Sequence, residues 1–73
     1  MLKATLKAGQ QVKIARERRG LTVLELSKLA GVSRVFLSAL EGGGDVRMTT
    51  LDRVCKALGI SMEELFAIER GTT

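Results

Sequence analysis

Cys55 is the single thiol of a chain that contains no histidine, and those two facts remove most covalent and metal chemistry. A nucleophile or a general acid–base pair needs a partner base and a pocket. A structural zinc needs four nitrogen or thiolate ligands, where this chain offers one. Gly42, Gly43 and Gly44 run on into Asp45, not into the Gly-Lys-Ser/Thr ending of a phosphate-binding loop. No enzymatic activity, cofactor or metal is therefore expected. What remains is charge. Residues 1–34 carry eight basic residues (Lys3, Lys7, Lys13, Arg16, Arg18, Arg19, Lys28, Arg34) against Glu17 and Glu25, a net of +6. Residues 35–73 carry four basic residues against six acidic ones, a net of −2. A basic half on so small a chain suggests an anionic partner.

The elements that must position those charges are helices. The 73 residues include no proline, tryptophan or tyrosine. Apolar residues recur at three- and four-residue spacing, and no segment alternates with period two for long enough to make a strand. The pattern predicts a single all-α domain over residues 1–73, built of five short helices. The first is expected from about Leu6 to Arg18, with Thr5 as N-cap, Gly20 just past its end, and Val12, Ala15 and either Leu6 or Ala8 facing inward. Thr22-Val23-Leu24-Glu25 is a capping box. It opens a second helix that runs to Leu29 or Ala30 and stops at Gly31, a residue able to take the left-handed conformation of a sharp helix end. Ser33 caps a third helix to about Glu41, and the three glycines that follow read as the one flexible stretch. A fourth helix is expected from near Met48 to Gly59, with Leu51, Val54, Cys55 and Leu58 inward. Ser61-Met62-Glu63-Glu64 is a second capping box, opening a final helix that buries Met62, Leu65 and Phe66 before a frayed tail at 69–73. Cys55 on an apolar stripe reads as a buried structural thiol. The lone thiol, with no signal peptide and no long apolar run, predicts a cytoplasmic protein that does not engage a membrane.

Residues 22–41 are the informative segment. Two helices joined by Gly31-Val32-Ser33 have too short a link to lie antiparallel, so they cross steeply as a helix-turn-helix. That crossing needs apolar or small residues between the helices, and the sequence supplies Leu26, Ser27, Val32, Leu37 and Leu40.

These residues and their flanks resemble the lambda repressor/Cro-like helix-turn-helix DNA-binding family, the xenobiotic-response-element type. The resemblance covers roughly residues 6–66. The matching runs are Arg16-Glu17-Arg18-Arg19-Gly20-Leu21-Thr22, Leu26-Ser27-Lys28-Leu29-Ala30-Gly31-Val32-Ser33, Leu37-Ser38-Ala39-Leu40-Glu41, and Leu51 through Ser61. The resemblance implies a compact five-helix fold whose third helix, Ser33 to Glu41, enters the major groove. With Leu37 and Leu40 on its inner side and Phe36 beside them, Arg34, Val35, Ser38 and Ala39 face out as base-reading residues. A guanidinium at Arg34 can donate two hydrogen bonds to guanine O6 and N7, and Val35 and Ala39 can press on thymine methyls. Phosphate contacts are expected to flank that helix. The amides near Val23 and Arg34 at two helix N-termini are anion sites, Thr22 and Ser33 offer hydroxyls, and Arg18, Lys28 and Arg47 offer charge. The resemblance also implies a structural ion pair between Arg16 and Glu41. Two positions depart from the family's pattern: Val23 stands where a phosphate-touching glutamine is common, and the glycine triplet stands where the loop commonly carries a basic residue, leaving Arg47 to take over.

The function so implied is a sequence-specific transcriptional regulator binding double-stranded DNA, a repressor or controller that acts as a homodimer on a palindromic operator. Leu65, Phe66 and Ile68 are the dimer candidates, because the last helix has more apolar content than one small core needs. The alternative is an antitoxin-type protein, which binds a partner toxin while also binding its own promoter. Residues 33–41 and 46–51 are similar to antitoxins that neutralise a kinase toxin.

Overall fold

The structure, a computed structural model, describes the backbone of residues 2–71 and the side chains of residues 8–68. It has five helices in chain order: α1 (Leu2–Arg18), α2 (Val23–Ala30), α3 (Arg34–Glu41), α4 (Met48–Leu58) and α5 (Met62–Gly71). There is no strand among the described residues, and none of their helices is long and apolar enough to cross a membrane.

Three helix starts and the stop of α2 are local hydrogen-bonding devices. The Thr22 hydroxyl accepts from the Glu25 amide at 3.0 Å, and the Glu25 carboxylate accepts from the Thr22 amide at 2.8 Å. Ser61 and Glu64 repeat this arrangement at the start of α5. Ser33 accepts from the Phe36 amide at 3.0 Å. Gly31 closes α2 at φ 72°, where a side chain would be strained, and the Val32 amide then reaches back to the Ser27 carbonyl. Ser33, two residues on, is the N-cap of α3, so the two helices are joined by a short turn with one left-handed residue, as in a helix-turn-helix.

Helix α1 differs from expectation. It begins at Leu2, so Thr5 lies inside the helix and is not its cap. No glycine or proline interrupts residues 2–8, and extending a formed helix costs less than starting one, which outweighs the modest helix preference of threonine. Ala8, Val12 and Ala15 face inward, while Leu6 lies outside the residues whose side chains are described.

The core joins these three small α1 residues to Leu26 and Ala30 of α2, Leu37 and Leu40 of α3, Leu51, Val54, Cys55 and Leu58 of α4, and Leu65 of α5. Each fully buried leucine contributes about 1.5–3 kcal/mol. Helix α1 packs against α3, α4 and α5, and α2 against α3 and α4. The small face of α1 permits a close approach at Gly9: a Cβ built there would stand 1.9 Å from the Leu40 carbonyl oxygen. Gln11 is buried on the same helix, and its Nε2 donates to the Phe66 carbonyl at 3.0 Å, tying α5 to α1.

Two further expectations change. Of the residues proposed to be buried by α5, only Leu65 is fully buried; Met62 and Phe66 flank it and are half-exposed. The glycine triplet is a hydrogen-bonded cap, because the amides of Gly42, Gly43 and Gly44 all donate to carbonyls in the last turn of α3. The expectation of a frayed tail falls on residues 69–73: α5 is helical through Gly71, and the side chains concerned lie outside the described residues.

Candidate nucleic-acid interface

Helix α3 presents two unlike faces. Leu37 and Leu40 sit in the core, while Arg34, Val35, Ser38 and Ala39 are all exposed. Phe36 is half-buried between the two. It lines an open groove of about 410 Å³ with Asp45, Val46, Arg47 and Thr50.

The far end of α3 is held by charge. The Glu41 carboxylate accepts from Arg16 Nε at 2.8 Å and from Arg16 Nη2 at 3.0 Å, a planar two-point contact. Arg16 Nη1 also donates to the Leu21 carbonyl at 2.8 Å, so one guanidinium joins α1, the α1–α2 turn and the end of α3. The two side chains are 11% and 7% exposed, which shields the pair from most solvent screening. The hydrogen bonds that Arg16 donates to Glu41, with the negative charge of that carboxylate, make the guanidinium hold its proton more tightly than usual, against the opposing effect of burial.

The N-terminus of α2 follows Thr22, and that of α3 follows Ser33, directly after the turn. Thr22 and Ser33, both exposed, each satisfy only the third amide of their helix. Val23 is half-buried and packs against the core, so its side chain is structural. Lys28 is exposed on the outer side of α2, and Arg47 is exposed at the N-cap of α4. Unlike Thr22, Ser33 and Ser61, Arg47 makes no capping hydrogen bond. The amides of Met48, Thr49 and Thr50 therefore form a third N-terminus beside α3, one that the sequence reading passed over. Its signal was present: no Ser, Thr, Asp or Asn stands just before Met48.

Arg18 is not part of this face. It lines a separate groove with Ala15, Arg19, Leu58, Ile60, Glu64 and Ile68. The cause is helical geometry: at 3.6 residues per turn, Arg18 points about 200° away from Arg16, and Arg16 is directed at the end of α3. Two other cations serve the protein's own carbonyls. Arg19 donates to the Leu58 carbonyl at the end of α4, and Arg53 donates to the Gly31 carbonyl at 3.0 Å, holding the helix-turn-helix turn to α4. Leu65 leaves the list of dimer candidates, because α5 closes the core over α1 and leaves that side chain 0% exposed. Phe66 and Ile68 remain half-exposed. Cys55 is buried, and desolvation, with Asp52 nearby, pushes its thiol up to about 11. No cluster of three or more His, Cys, Asp or Glu side chains suited to a metal occurs among the described residues.

Five helices packed so that a capped pair crosses at a glycine turn, with the second helix half in the core and half exposed, define a helix-turn-helix DNA-binding protein. Residues 12–70 match the model of the Cro/C1-type HTH DNA-binding domain, and the chain belongs to that family. It is a DNA-binding domain of the kind that regulates transcription, in a family that is typically non-enzymatic. No curated protein matches it.

Proposed function

We propose that α3 is the recognition helix of a sequence-specific regulator, entering the major groove with Arg34, Val35, Ser38 and Ala39 against base edges. The observation that carries this reading is the division of α3 into a face locked in the core and a wholly exposed face headed by Arg34, which makes no ion pair among the described residues. The phosphate backbone is held by the amides at the starts of α2, α3 and α4, with Thr22, Ser33, Lys28 and Arg47 around them. The protein acts as a homodimer on a palindromic operator in the cytoplasm, at the nucleoid, with half-sites about one helical turn apart, as a repressor or controller. Phe66 and Ile68 are its remaining dimer candidates.

Titration against mixed genomic DNA fragments at two salt concentrations tests this, with wild type beside Arg34→Ala. Selective retention of particular fragments is expected, weakening steeply between about 50 and 200 mM salt and losing selectivity in the variant. Weak, unselective binding that ignores Arg34→Ala would overturn the assignment. A second reading, a toxin-binding antitoxin, is favoured by Leu24, Leu29 and Met48, large apolar side chains exposed outside the core. Retention of an unrelated protein partner by a variant that no longer binds DNA is the outcome that would move it forward.

A further inference from the structure

We infer that the exposed face of α3 reads C5-methyl groups on pyrimidines beside a guanine, so that cytosine methylation strengthens binding at the positions where thymine is preferred. The inference rests on the reading of α3 as the recognition helix and adds to it the class of base edge recognised.

Residues four apart lie on one side of a helix. The exposed face of α3 is therefore two parallel stripes, Arg34 with Ser38 and Val35 with Ala39. The first stripe can hydrogen-bond; the second cannot. Arg34 has only donors, and the base edge that offers two acceptors to a guanidinium is guanine O6 and N7. The Ser38 hydroxyl donates or accepts and so discriminates weakly. No Asn, Gln, Lys, Asp or Glu stands on either stripe to read adenine or bare cytosine.

Val35 and Ala39 must therefore discriminate by contact alone. Val35 is 74% exposed on a helix whose opposite side is already core, so nothing within the described residues covers it. The groove feature complementary to an alkyl side chain is the C5 methyl, which thymine carries and cytosine lacks. Cytosine, methylated or not, presents its N4 donor where thymine presents O4, so only the C5 methyl separates 5-methylcytosine from cytosine. 5-Methylcytosine restores the methyl at the same ring position. The aliphatic stem of Arg34, one residue from Val35, adds apolar cover where the pyrimidine adjoins the guanine.

The test begins with random-sequence DNA duplexes selected on the full chain. The recovered duplex is then resynthesised with single thymines replaced by deoxyuracil, by cytosine, and by 5-methylcytosine (the last two paired with guanine). Each deoxyuracil at a contacted position is expected to weaken binding about fourfold, the equivalent of one buried methyl group. 5-Methylcytosine is expected to bind about fourfold better than cytosine at the same position. In Val35→Ser and Ala39→Ser, exposed positions whose thermal unfolding should match wild type, the discrimination falls at the position each residue covers.

Deoxyuracil that is neutral throughout a clear consensus overturns the methyl reading and leaves the recognition-helix assignment standing, provided Arg34→Ala erases that consensus. Methyl discrimination that survives in both serine variants also overturns it, by placing the effect in the duplex and not in α3. Failure to enrich any consensus would sink the recognition-helix assignment and this inference with it.

Discussion

The two ends of α3 are built on opposite principles. Its C-terminal end is fastened by the protein: Glu41 by the Arg16 guanidinium, Leu40 by the close passage of Gly9, and the last carbonyls by the amides of Gly42, Gly43 and Gly44. Its N-terminal end carries one capping hydroxyl, Ser33, and two exposed side chains, Arg34 and Val35. A reading helix must be rigid yet leave its reading groups unsatisfied, and this helix separates the two demands along its length. The same division governs the cations. Arg16, Arg19 and Arg53 are committed to the protein's own carboxylate and carbonyls, whereas Lys28, Arg34 and Arg47 stand exposed around the helix-turn-helix.

Breaking the fastened end should have the largest effect. Glu41→Ala leaves the Arg16 guanidinium in a mostly buried site without its carboxylate, and the loss of unfolding free energy in urea should be about 3 kcal/mol. Arg16→Lys should recover little, since an ammonium cannot reproduce the two-point contact. Gly9→Ala comes next. The added Cβ meets backbone, which cannot swing away as a side chain can, so α1 and α3 must separate at a cost of about 2 kcal/mol. A drop of less than 0.5 kcal/mol would show that α3 is not seated on α1 as described.

Changes at the reading end should cost the fold less. Ser33→Ala should lower stability by about 1 kcal/mol, through the lost cap. Arg34→Ala should change stability by no more than about 0.5 kcal/mol while reducing discrimination at one base pair by about 1–3 kcal/mol. Equal losses of stability and binding in Arg34→Ala would erase the contrast between the two ends.

The smallest effect at ordinary pH belongs to Cys55. Its thiol is held up at about 11 in the folded chain, against an ordinary value of 9.0, because burial disfavours the thiolate. A raised folded-state value stabilises fully below the unfolded value and loses that contribution as pH rises through the folded one. The stability gap between wild type and Cys55→Ala should therefore be constant below pH 9 and shrink between pH 9 and 11, measured by urea unfolding in parallel.

The amino-acid sequence by itself determined the features whose partners lie three or four residues apart. Thr22 and Glu25, Ser61 and Glu64, and the Ser33 cap before Phe36 are all local pairs, so their bonds follow from the order of residues. The stripes that bury Leu37, Leu40, Leu51, Val54 and Leu58 were legible for the same reason, since helical periodicity is a local property. With the turn at Gly31 they were enough to show a helix-turn-helix and the outward face of α3.

Tertiary structure alone decided what depends on which helix faces meet. Gly9 reads as a flaw in α1 until Leu40, thirty-one residues later, is seen passing over it. Arg18 and Arg16 are near neighbours in sequence but point about 200° apart around α1, so composition could not say which one reaches α3. Leu65 and Phe66 look alike on an apolar helix, and only the docking of α5 on α1 buries the first and leaves the second half-exposed. Arg19 and Arg53 contribute to the basic charge, but they act on carbonyls 39 and 22 residues away. Local bonds form wherever the chain is helical, whereas contacts across such separations exist only once the helices have packed.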